Sequence, residues 1–201
     1  MGEVSVRPRT NGDDAAVEEL LAASMDRPDD PRFGRLLAWK HSANPFGESP
    51  AWVAEIDGEV VGYRAFMRWE FTDGVSTYRA VRAVDTATHP DHQGKGIFRL
   101  LTLHGLEEVR ADGVDFVFNT PNHQSRPGYL KMGWELVGRL PPRVRPRGVR
   151  SLPRIIRGRM PAGHWGEPTG AGRRADEVFD HDAGTEALVL SARVPGLQTR
   201  R

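Results

Sequence analysis

Gln93-Gly94-Lys95-Gly96 runs directly into Ile97-Phe98 and a helix-like stretch, and an apolar, β-branched run ends just before it at His89-Pro90. A glycine-rich turn that enters a helix aims consecutive backbone N–H groups at one spot, where the helix dipole adds positive potential. Such a turn can hold an anion. Glycine at 94 and 96 permits positive φ and lets a ligand approach the backbone closely. Two familiar phosphate motifs do not fit. A P-loop needs four residues between its first glycine and Gly-Lys-Ser/Thr, and here Gly96 is followed by Ile97 and Phe98; a dinucleotide fingerprint needs a third glycine where Arg99 stands. On these residues alone, an ordinary strand-to-helix turn and an anion cradle both remain open.

The elements that would position this turn are legible from periodicity. Val4 and Val6 mark a first strand. Val17, Leu20, Leu21 and Ser24 share a helical face behind the capping candidates Asn11 and Asp13, and Arg32 to His41 reads as a second helix. Ala51–Ile56 and Glu59–Phe71 are strands joined by Asp57-Gly58, and Asp73-Gly74 leads into a third from about Ser76 to Thr88. Asp-Gly between apolar runs predicts hairpins, hence an antiparallel meander. After the glycine turn, Phe98, Leu101, Gly105, Leu106 and Val109 share one helical face, with Leu100 and Leu103 off it, so cover on more than one side is expected. Gly113 stops that helix and Asp115–Asn119 is a short strand, so Ser76–Asn119 forms a strand–helix–strand unit with parallel pairing. A short helix opens near Pro127, and Trp134–Leu140 reads as one more strand.

Composition sets outer limits. With 38% hydrophobic and 27% charged residues the chain is of the soluble globular class, and no apolar run is long enough to span a bilayer. The first residues, MGEVSVRPRT, lack the apolar stretch of a signal peptide, and the cytoplasm is the default location. Cysteine is absent, which excludes disulfides, thiolate metal sites and cysteine nucleophiles. The net charge of +1 does not make the whole molecule a polyanion binder.

A second cluster lies about 30 residues beyond the turn: Asn122, Ser125 at +3, Tyr129 at +7, then Lys131, Gly133 and Trp134. With His89-Pro90-Asp91-His92-Gln93-Gly94-Lys95-Gly96, this pair of motifs resembles the GNAT superfamily of acyl-CoA-dependent N-acyltransferases. That family's motifs are Arg/Gln-Gly-x-Gly-x-Gly/Ala and Asn-x-x-Ala-x-x-x-Tyr-x-Lys-x-Gly-Phe, in this order. Phe98 stands where the first has a small residue, and Ser125 where the second has alanine. Pro127 fits the first turn of a shortened helix, where its missing N–H costs nothing.

The resemblance implies an α/β fold: a mixed, mostly antiparallel twisted sheet with flanking helices and a cofactor slot where the fourth and fifth strands splay apart. It implies acetyl-CoA as acyl-donor cosubstrate, no metal, and transfer of an acetyl group to a primary amine by direct attack. The pyrophosphate would meet the backbone of Gln93, Gly94, Lys95, Gly96, Ile97 and Phe98. Ala87 and Thr88 would pair with pantetheine like an added strand, a Thr88 N–H polarising the thioester carbonyl. Asn122 and Ser125 complete the cofactor site. Tyr129 would protonate the departing thiolate, and Asp85 is the candidate base. The acceptor is a small-molecule or peptide amine. Two other readings stay open: a non-catalytic acyl-CoA-binding regulatory module, and an aminoacyl-tRNA-dependent transferase on the same fold.

Residues 1–140 are thus expected to form the acyltransferase core. Residues 141–185, rich in Arg, Pro and Gly, read as an insertion or linker; 186–195 as the final strand of the domain, and 196–201 as a basic tail. The arginine run from Arg139 to Arg159 lacks interleaved aromatics and is broken by prolines, which argues against a nucleic-acid partner. A homodimer is left open.

Overall fold

The computed structural model describes residues 2–25, 33–138 and 198–199. Its elements, in chain order, are β1 (Ser5–Pro8), a 3-10 turn (Asn11–Asp13), α1 (Asp14–Met25), α2 (Phe33–His41), β2 (Ala51–Ile56), β3 (Glu59–Thr72), β4 (Thr77–Thr88), α3 (Ile97–Ala111), β5 (Phe116–Phe118), α4 (Arg126–Lys131) and β6 (Gln198–Thr199). The sheet runs β1-β2-β3-β4-β5, with β6 on the far end of β3. All pairs are antiparallel except β4 with β5. The hairpin and crossover expectations are met, Asp57 taking the left-handed conformation that its turn needs.

Alternation along the strands divides two cores between the faces of the sheet. Val53, Tyr63, Ala65 and Ala87 pack against Val17, Leu20 and Leu21 of α1. Trp52, Ala54, Ile56 and Phe66 pack on the other face against Ile97, Leu101 and Val109 of α3. The helix α3 lies so close to β3 that a Cβ at Gly62 would sit 2.6 Å from Ile97 Cγ2 and 3.0 Å from Leu101 Cδ1. A Gly62→Ala substitution is therefore expected to destabilise the fold by about 1–3 kcal/mol through overpacking, read as a lower urea midpoint with unchanged slope.

Three local readings differ. The 3-10 turn before α1 starts at Thr10, whose N–H and hydroxyl both donate to the Asp13 carboxylate, at 2.7 and 2.9 Å. The core face of α3 uses Ile97 in place of Phe98, and Leu100 stays 43% exposed, so no second cover forms over it. Trp134 to Gly138 form no strand; Leu136 and Val137 are exposed and make no ladder. The strand expected at 186–195, which was to pair with them, lies outside the described residues, as do residues 141–185 and the arginine run.

Candidate active site

The site begins where β4 breaks register. Arg64 pairs with Thr86 and Ala65 with Val84, which leaves Asp85 as the extra residue of a β-bulge, at φ 40°. Bulges bend their strand and increase its twist. Pairing between β4 and β5 is confined to Ala80–Arg82 with Phe116–Phe118, and beyond it the two strands share no ladder. His89 N–H donates to the Val61 carbonyl on the β3 side. Since successive residues of a strand direct their backbone groups to alternate edges, the Thr88 N–H faces the opening toward β5. An unpaired strand edge is the surface onto which an extended ligand adds as one more strand.

At the end of β4 the chain turns through Pro90–His92 and the two glycines into α3. Gly94 and Gly96 have φ of 76° and 79°, and a Cβ placed on either meets no atom within 4 Å. The space in front of the helix is open, and the first N–H groups of α3 have no intrahelical acceptor. The Gln93 N–H, in contrast, donates to the Pro90 carbonyl at 3.3 Å. The N–H groups of Gly94 to Phe98 lie along the turn and the first turn of α3. Lys95 Nζ lies 3.3 Å from His92 Nδ1 at the exposed rim.

Phe98 projects away from this opening. Its ring meets Tyr129 edge-on with centroids 5.2 Å apart, and lies against Gly128 of α4. A bulky residue is tolerated at the helix start because it fills the gap between α3 and α4. Tyr129 is 4% exposed and also packs on Trp134 at 4.8 Å. Its hydroxyl accepts a 2.7 Å hydrogen bond from Arg64 Nη2. Burial pushes the Arg64 guanidinium below its ordinary pKa, opposed in part by Tyr129.

The Asn122 side chain shapes the entry to α4. Its Oδ1 accepts from the N–H groups of Gln124 and Ser125, at 3.0 and 2.9 Å, and from the Ser125 hydroxyl at 3.0 Å. The carboxamide oxygen is thus fully used, and only the Asn122 NH2 is left to donate to a ligand. The Ser125 hydroxyl proton is spent inside the cap, so that side chain offers a ligand lone pairs alone.

Asp85 projects to the opposite face of the sheet. Its Oδ2 is 2.6 Å from Lys40 Nζ and 2.7 Å from His41 Nε2, both on α2. Burial raises its pKa, but hydrogen bonds from His41 and Lys40 outweigh that and hold the carboxyl below its ordinary value. Asp85 therefore stays ionised at neutral pH. His41 Nε2 meets Asp85, and its Nδ1 is buried without a hydrogen-bond partner. His41 also lines a cleft of about 80 Å³ with Tyr63, Ser49, Asp14, Glu18 and Glu48.

A group whose folded pKa is depressed adds stability above its unfolded pKa and loses it as pH falls through the folded value. Asp85→Asn is accordingly expected to lower Tm at pH 7 by removing a charged hydrogen-bond acceptor, a loss of about 1.5–3 kcal/mol. The gap from wild type should shrink below about pH 4, where an unfolded Asp takes up its proton.

Neither Arg64 nor His41 was singled out from sequence. Arg64 did carry a signal, as a lone cation inside the apolar run Val60–Met67; His41 carried none.

A bulged β4 splayed from β5, a glycine turn opening α3, and a buried tyrosine on α4 together define an α/β acyltransferase architecture. Residues 5–137 match the family described as "Acetyltransferase (GNAT) domain", and the chain belongs to that family: it is a GNAT-type acyltransferase. It is 27% identical over 147 residues to the L-amino acid N-acyltransferase MnaT of Escherichia coli, across 69% of this chain and 83% of that one. It is 36% identical over 77 residues to an L-methionine sulfoximine/L-methionine sulfone acetyltransferase of Salmonella typhimurium, across 38% of this chain and 43% of that one. A GNAT family acetyltransferase from Brucella melitensis, solved in complex with acetyl-CoA, shares the fold at a TM-score of 0.55 and 20% identity; the match covers 68% of this chain and 85% of that one. No described helix is long and apolar enough to cross a membrane.

Proposed function

We propose that this protein transfers an acetyl group from acetyl-CoA to the primary amine of a small molecule, with free L-amino acids as the first class to test. The observation that carries the reading is the unpaired edge of β4 beyond Arg82, with the glycine turn at one end of it. Pantetheine would lie along that edge, the pyrophosphate would meet the N–H groups from Gly94 to Phe98, and the Asn122 NH2 would contact the pantetheine arm. The amine nitrogen attacks the carbonyl carbon while the Thr88 N–H stabilises the oxyanion that develops. As the C–S bond breaks, the Tyr129 hydroxyl gives its proton to the thiolate. The proton shed by the amine passes to solvent. The choice of amino acids is supported by the names of the two relatives.

Calorimetry with acetyl-CoA, followed by a CoA-release screen over the L-amino acids, L-methionine sulfone and L-methionine sulfoximine, tests this reading. Binding with amine-dependent CoA release is expected. Tight binding without release on any amine would leave a non-catalytic acyl-CoA-binding module as the better account.

A further inference from the structure

The side chain of Arg64 is fully buried, and its bonds involve no carboxylate. Nη2 donates to Tyr129 Oη at 2.7 Å and to Thr102 Oγ1 at 3.1 Å, while Nε and Nη1 are buried without any hydrogen-bond partner. The rings of Phe66, Phe98 and Tyr129 surround the guanidinium carbon, at 5.2, 5.3 and 5.3 Å from their centroids. Ring faces attract a cation but do not replace three missing hydrogen bonds. An apolar residue of similar volume would often serve a core as well or better. Stability alone therefore does not account for an arginine here. What the cation does engage is the one side chain of this pocket to which the reaction assigns a proton.

A guanidinium only donates. Its bond to Tyr129 Oη occupies an oxygen lone pair, so the phenolic proton must point elsewhere. The positive charge also lies where negative charge appears once that proton has left.

We propose that Arg64 is a positioning residue for proton donation by Tyr129: it turns the phenolic O–H out of the core and stabilises the phenolate that donation leaves. This rests on Tyr129 being the donor. In the step, the Tyr129 O–H bond breaks and the S–H bond of the released thiol forms. The electron pair left on Oη is met by Arg64 Nη2–H until solvent returns a proton. Arg64 itself gives up none.

The test is single-turnover thiol release from acetyl-CoA with L-methionine sulfone, for Arg64→Met and Arg64→Lys, alone and combined with Tyr129→Phe. Arg64→Met is expected to slow release about 100-fold, the low end of the range for a lost electrostatic stabiliser. Acetyl-CoA affinity should change less than about threefold, and Tm should hold or rise. Arg64→Lys should recover part of the loss. In the Tyr129→Phe background, Arg64→Met should add less than about twofold, because residues that act as a unit are not additive. Equal losses in both backgrounds would overturn the proposal, and so would full release by Arg64→Met. If Arg64→Met does not fold, Arg64→Gln takes its place in the same comparison. Full release by Tyr129→Phe removes the donor assignment and this proposal with it; slow release by Tyr129→Phe beside full release by Arg64→Met removes this proposal alone.

Discussion

Tyr129→Phe is expected to lower kcat about 100-fold, the low end of the range for general acid catalysis. The low end is chosen because a thiol, with an ordinary pKa near 8.5, is already a fair leaving group near neutral pH. For the same reason the loss should shrink with acyl donors whose thiols are more acidic. The ring contacts to Phe98 and Trp134 survive in phenylalanine, so KM for acetyl-CoA should stay within about threefold. The variant leaves Arg64 with one acceptor fewer, a cost of about 1–3 kcal/mol. A melting curve beside the kinetics separates that cost from the loss of a proton donor. Full turnover in Tyr129→Phe, with chemistry rate-limiting, would show that the thiolate leaves without help from this hydroxyl.

The second large effect belongs to the glycine turn. Gly94→Val with Gly96→Val is expected to weaken acetyl-CoA binding about 100-fold, or about 2.7 kcal/mol. Both residues have positive φ, where a β-branched side chain is strained. Both also face open space, so the added methyl groups would stand in front of the helix N-terminus instead of clashing within the fold. The backbone strain should lower stability by about 1–3 kcal/mol per residue, while the anion loses its place. Acetyl-pantetheine, which carries no pyrophosphate, separates the two effects: its affinity should be almost unchanged in the double variant. Acetyl-CoA binding that survives the double substitution would rule out this turn as the pyrophosphate cradle.

The order of elements was legible because it depends on short-range chemistry. Asp57-Gly58 and Asp73-Gly74 impose hairpins on the apolar runs around them, whatever lies elsewhere. The glycine turn and the spacing from Asn122 to Tyr129 carry the resemblance to the family for the same reason, each motif being local. Phe98 was harder. Helical spacing alone assigns it to the core face, but the gap beside α4 draws it toward Gly128 and Tyr129, and no spacing rule describes that gap. The stretch Trp134–Leu140 has the composition of a strand, yet its described part, Trp134–Gly138, forms none.

The sequence by itself determined the hairpins, the parallel crossover and the glycine turn, because each is written in residues close together along the chain. Tertiary structure alone decided what those groups meet. The bulge at Asp85 follows from a register mismatch between two long strands, and it delivers the carboxylate to Lys40 and His41, 44 and more positions away. Arg64 and Tyr129 lie 65 residues apart. Their hydrogen bond exists because β3 and α4 converge on one face of the sheet, and convergence of that kind has no local signature.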